Sequence, residues 1–183
     1  MNGLINRGLE QLVISLQGEA GWRAVCAHAG VGADGFVSMQ NYDDDITFRL
    51  VNAVSERLSW PPERVLETFG EYWVTYTAQE GYGALMAAGG RNLREFLSNL
   101  NDIHNRVGSN FTNLRLPIFR LEDVSGTEYR LFYTSERSGL APLVLGIVKG
   151  LAKRFGQPVE VVQVHSKADV NDDDVFRVRH LPN

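Results

Sequence analysis

Only one cysteine, Cys26, occurs in the 183 residues, so an internal disulfide is impossible and a multi-cysteine zinc or iron–sulfur site is excluded. A reducing, cytoplasmic setting fits that usage. No apolar run is long enough to span a bilayer, and the N-terminal stretch MNGLINRGLEQLVISLQG is not a signal sequence. Basic excess is missing as well: the formal net charge is -4, with no arginine or lysine block. A general nucleic-acid binder or an anionic-membrane binder is therefore not expected. There is no G-x-S-x-G nucleophile elbow and no internal repeat.

What is present is a soluble globular composition, 44% hydrophobic and 22% charged, long enough for one domain of ordinary size. The halves differ in charge. Residues 1–90 carry 5 basic and 11 acidic side chains, and residues 91–183 carry 13 and 11, so the second half is the better host for an anion. The first half reads as helices. Apolar residues at 4, 5, 9, 12, 13 and 16 make the N-terminus an amphipathic helix. Asp43 to Asp45 cap a helix bearing Ile46, Leu50, Val54 and Leu58. Pro61 and Pro62 open the next, with Val65, Leu66, Phe69, Tyr72, Trp73 and Tyr76 on a wide face. GYGAL and AAGG then punctuate before a helix over 91–107.

After Gly108 the pattern becomes extended. LRLPIFRLE, a turn at SGTE, and YRLFYTSE read as a hairpin. An apolar helix over about 140–155 follows, then VEVVQVHS and VFRVRH flank the polar loop KADVNDDD. The expected fold is α+β: a helical N-terminal subdomain packed on a C-terminal subdomain with a four-stranded antiparallel sheet.

Two cofactor signatures carry little. GVGADG at 30–35 satisfies G-x-G-x-x-G, but a helix precedes it and a loop follows, the reverse of a dinucleotide site; a helix-ending glycine turn accounts for it. The acidic clusters at 43–45 and 172–174 lack the alternating ligand spacing of a calcium loop. No metal is assigned to them.

Two other features point to chemistry. If YRLFYTSER is extended, Tyr133, Ser135 and Arg137 project to one side, a row of donors with a fixed cation that suits an anion. On the helix over 91–107, positions 93, 96, 97, 100, 104 and 107 share one face, and all but His104 are apolar. Alone, such a histidine is more often a satisfied core residue than a ligand. One imidazole cannot hold zinc, but it can serve haem iron, whose porphyrin supplies four nitrogens already. Haem also carries two carboxylates for the Tyr-Ser-Arg row. Losing one such charge-assisted bond costs about 1.5–3 kcal/mol.

On Tyr133-x-Ser135-x-Arg137, His104 in LNDIH, Pro117 in LRLPIFRLE, and the flanking GLINRGLEQLV and SERSGLAPLVLGIVKGLAKRFG, the chain resembles the haem nitric-oxide/oxygen-binding (H-NOX) family. The sensor region of soluble guanylate cyclase shares that fold. The resemblance covers nearly the whole chain and implies a single domain over 1–183, with a distal helical subdomain over about 1–60 and a haem-holding subdomain over about 61–183. It implies one haem b between them, His104 as the only protein ligand to iron, Pro117 pressed on the porphyrin, and Tyr133, Ser135 and Arg137 on the propionates.

By the same comparison Leu143 occupies the position where oxygen-binding members place a tyrosine. Ile147, Ile5, Leu9 and Trp73 are expected near the distal pocket, where the Trp73 indole is a donor if it points inward and the rest are apolar. The implied function is a gas sensor and not an enzyme. Nitric oxide, and also carbon monoxide, would bind ferrous haem, oxygen would be excluded, and nitric oxide would release His104 and shift the subdomains. Stand-alone members act on a separate histidine kinase or cyclic-di-GMP enzyme. The rival readings are an oxygen sensor, a haem enzyme, and a haem-free interaction module.

Overall fold

The computed structural model describes residues 1–108, 114–169 and 172–182. Seven helices, a π-helical turn and four strands are found among them: α1 (Gly3–Ala29), α2 (Asp44–Leu58), α3 (Pro62–Thr77), the π turn (Ala78–Tyr82), α4 (Gly83–Ala88), α5 (Leu93–Ser98), α6 (Leu100–Gly108), β1 (Ile118–Ser125), β2 (Glu128–Thr134), α7 (Ala141–Arg154), β3 (Val159–His165) and β4 (Asp174–His180). The expected α+β class with one four-stranded antiparallel sheet is found, in the order β1-β2-β4-β3. The expected polar loop before β4 falls partly on residues 170–171, outside the described residues.

α1 follows the expected amphipathic pattern as far as Gly18, where φ 70 and ψ 177 break the helical geometry. The chain then turns helical again up to Ala29, a second piece that the N-terminal apolar pattern does not mark. It ends at Gly30 in the left-handed region, whose amide reaches back to the last turn, so GVGADG does close a helix. Asp43 occupies the N-cap of α2 but makes no side-chain capping bond. The helix expected over 91–107 is interrupted at Asn99, whose side-chain amide donates to the Gly89 carbonyl at 2.9 Å. The apolar stripe survives the break, with Leu93, Phe96, Leu97 and Leu100 all buried.

Two buried clusters result. One gathers Leu9, Trp22, Leu50, Val54 and Phe69 from α1 to α3, with Leu140. The other packs Leu93 and Phe96 with Leu131, Val148, Leu151 and Phe176 between α7 and the inner face of the sheet. α3 joins them by lying very close to α7. A Cβ at Gly70 would sit 2.2 Å from the Leu143 carbonyl oxygen, and one at Gly146 would sit 2.0 Å from that of Glu67. No side chain fits at either place without moving a backbone. Lys149 and Lys153 on α7 clasp Glu67 and Glu71 on α3 alongside. Gly146→Val is expected to destabilise the protein by about 3 kcal/mol through overpacking, measured as a lower midpoint in urea.

Candidate functional site

A cavity of about 260 Å³ opens where α1, α3, α6, α7 and β2 meet, and its wall is overwhelmingly apolar. Of the residues singled out from the sequence, His104, Pro117, Tyr133, Ser135, Arg137, Ile5, Trp73, Leu143 and Ile147 all line it. Leu9 does not. It is fully buried in the helical core one turn beyond Ile5, where the Trp73 ring packs against Gly8 and makes the wall in its place.

His104 reaches the cavity from α6. Its Nδ1 lies 3.2 Å from the Pro117 carbonyl oxygen, the residue just before β1. A carbonyl only accepts, so Nδ1 carries the proton and Nε2 keeps its lone pair, the tautomer suited to binding a metal. The ring packs on Phe119, which packs in turn on Tyr133. Two further bonds dock the same helix on β1: the Asn101 side-chain amide donates to the Phe119 carbonyl at 2.7 Å, and its oxygen accepts from the Phe119 amide at 2.9 Å.

Burial lowers the His104 pKa, and the Pro117 bond only partly offsets this. The unfolded chain takes up this proton near pH 6.5, the folded one at lower pH. His104 therefore contributes stability above about pH 6.5 that is lost as pH falls below it. His104→Leu is expected to flatten that part of the pH–stability curve of the ligand-free protein, followed by urea unfolding.

The polar row lines the same cavity, with Tyr133 next to Phe119. Simple alternation predicts an exposed strand face here, with Leu131 and Phe132 in the core. Instead Tyr129, Leu131 and Tyr133 face inward, and Phe132 lies on the outer face under the Arg120 guanidinium. Burial raises the Tyr133 pKa, which keeps the phenol protonated as a donor, and the Ser135 side chain shares a hydrogen bond with it. β2 ends at Thr134, so Ser135 and Arg137 lie beyond the strand. Arg137 Nε donates to Asp44 Oδ2 at 2.8 Å and its Nη1 to the Arg115 carbonyl at 2.9 Å. Burial works against the charge on Asp44, but hydrogen bonds from the Met1 ammonium and Arg137 outweigh it and hold its pKa below the usual range.

Four polar residues of the wall, Asn2, Thr77, Tyr82 and Arg115, were not anticipated. Thr77 lines the cavity, but its hydroxyl donates to the Trp73 carbonyl at 2.7 Å. Tyr82 comes to the wall from the π turn, next to Gly81 at φ 92. The GYG triplet was legible only as punctuation. Its tyrosine became a site residue because glycine tolerates the left-handed backbone that turns it inward.

Among the described residues no group of three or more His, Cys, Asp or Glu side chains could hold a metal ion. One imidazole nitrogen, an apolar slot and a set of two hydroxyls and a guanidinium on the same cavity instead match a flat macrocycle that brings its own four nitrogens and two carboxylates. Haem fits this donor set.

The comparisons agree. Residues 2–163 match the family model described as Haem-NO-binding. Soluble guanylate cyclase gcy-32 of Caenorhabditis elegans is 35% identical over 195 residues, covering 99% of this chain and 28% of that protein. The chain thus spans little more than a quarter of that relative. The fold matches a mutant H-NOX protein from S. oneidensis in the Fe(II) ligation state at TM-score 0.89 and 21% identity, covering 100% and 97% of the two chains. It also matches an oxygen-binding H-NOX domain related to soluble guanylate cyclases at TM-score 0.84 and 19% identity, covering 100% and 96%. This chain belongs to the haem-NO-binding family, the H-NOX domains, haem-based gas sensors related to soluble guanylate cyclase.

Proposed function

We propose that the chain binds haem b in this cavity and senses nitric oxide, and carbon monoxide more passively, while excluding oxygen. Bound ferrous haem would supply the gas-binding iron. The protein's part is carried by His104: a neutral imidazole with Nδ1 fixed on Pro117 and Nε2 free for the iron. Tyr133, Ser135 and Arg137 would hold the propionates, with Pro117 beneath the ring and Ile5, Trp73, Leu143 and Ile147 on the gas side. Oxygen bound to iron gains from a hydrogen-bond donor, whereas nitric oxide needs one much less. The α7 wall offers Leu143, Val144 and Ile147 there, and this supports exclusion of oxygen.

Signalling would begin when His104 is released. α6 and the start of β1 are joined by the Asn101 pair and the His104–Pro117 bond, so they would move together. Arg137 reaches across to Asp44 on α2, so the haem-holding part, about 61–183, is tied to the distal helices, about 1–60. Displacement of one part is thereby passed to the other, provided the ligand favours one of the two arrangements. The chain acts as a sensor, not as a catalyst, and works in the cytoplasm on a separate histidine kinase or cyclic-di-GMP enzyme. No helix of the described residues is long and apolar enough to cross a membrane. Haem titration of the purified protein tests the reading: one haem per chain with a strong Soret band is expected, and no uptake would reject it.

A further inference from the structure

The polar row outlasts the strand that begins it. Tyr133 is fixed by pairing with β1 and β4, but no ladder holds the backbone at Ser135 to Arg137. The carbonyls of Ser135 and Arg137 nevertheless converge on one atom. Lys167 Nζ donates to both, at 2.6 and 2.7 Å. The Arg137 amide closes the same turn by donating to Ser135 Oγ at 3.1 Å.

Lys167 is itself well placed. It follows β3, and its backbone amide donates to Asp174 Oδ1 at 3.2 Å, an oxygen that also accepts from Gln163 Nε2 at 2.8 Å. Asp174 is buried and is the β4 residue paired in register with Tyr133. One residue of β4 thus anchors Tyr133 by its backbone and, through Lys167, the two residues beyond the strand end. The next residue, Ala168, donates its amide to Asp172 Oδ2 at 3.0 Å, so a carboxylate lies close along the chain. The Lys167 ammonium is nevertheless committed to two backbone oxygens of the cavity wall.

We infer that Lys167 is a positioning residue for the anion clamp, stapling the Ser135–Arg137 turn so that the Ser135 hydroxyl and the Arg137 guanidinium stay beside the Tyr133 phenol. The inference rests on the haem reading for the nature of the anion, but not for the staple itself.

Full-length Lys167→Met, Lys167→Gln and Lys167→Arg proteins test it, each loaded with haem and mixed with excess apomyoglobin. The Met and Gln proteins are expected to release haem about tenfold faster than the parent, the loss of roughly one charge-assisted bond, and the Arg protein close to the parent rate. Hydrogen exchange at the Arg137 amide should accelerate in the Met and Gln proteins while α3 and α7 amides keep parent rates. Parent-like release and parent-like exchange in both neutral variants would overturn the inference. If the parent takes up no haem, the haem reading fails, and unchanged Arg137 exchange in Lys167→Met is then the result that removes the staple too.

Discussion

His104→Gly protein is expected to leave purification largely free of haem and to bind added haem on the order of 100-fold or more weakly than the parent. Groups that merely orient a metal ligand are worth about 10–100-fold in affinity, and this substitution removes the ligand. It also removes the bond to Pro117 and opens a space beside Phe119. Adding imidazole should restore the Soret band, because a free imidazole can fill that space and offer the same nitrogen. The restored protein would lack the covalent path from that nitrogen to α6. It should therefore bind gas without the shift in hydrogen exchange at α6 and β1 that is expected of the parent. Normal haem content in His104→Gly without imidazole would reject the axial role.

Leu143→Tyr protein is expected to form a stable oxygen complex, and the parent is expected to form none. A donor aimed at developing negative charge in a dry cavity is worth about 2.7–4 kcal/mol, roughly 100- to 1000-fold. Position 143 can carry such a donor because its backbone has no freedom to retreat. Its carbonyl is pressed against Gly70 of α3, and its side chain lines the cavity. Leu143→Phe supplies the same ring without the hydroxyl and should gain nothing. Equal oxygen affinity in the Tyr and Phe proteins would mean that the hydroxyl does not reach the ligand, and Tyr82 would then be the next donor to remove.

Much of this was legible because its physics is local. Helix and strand positions followed from periodicity, and the stripe from Leu93 to Val107 marked His104 as the polar exception on an apolar face. That stripe held even where Asn99 interrupts the helix, since three- and four-residue spacing persists through one tight turn. The misreadings arose where distant residues decide. Alternation placed Tyr133, Ser135 and Arg137 together for a reason that is only partly right. The strand stops at Thr134, and Lys167, thirty residues on from Arg137, orients the remainder.

The partner of Arg137 was equally hidden. Asp43 to Asp45 read as helix-capping charge, yet Asp44 faces Arg137 from 93 residues away. Leu9 shares a helix face with Ile5, so spacing alone cannot separate cavity wall from core. The Trp73 ring lying over Gly8 makes that distinction. Tyr82 needed the π turn and its left-handed glycine, features that no periodic pattern announces.

The central claim is most directly tested by the absorption spectrum of the reduced, haem-loaded protein, recorded without oxygen and then after separate exposure to air and to nitric oxide. Nitric oxide should shift the Soret band to the position of a five-coordinate complex that has lost His104, and air should give no stable oxygen complex. A persistent oxygen spectrum, or a nitric-oxide spectrum in which His104 remains attached, would contradict the account.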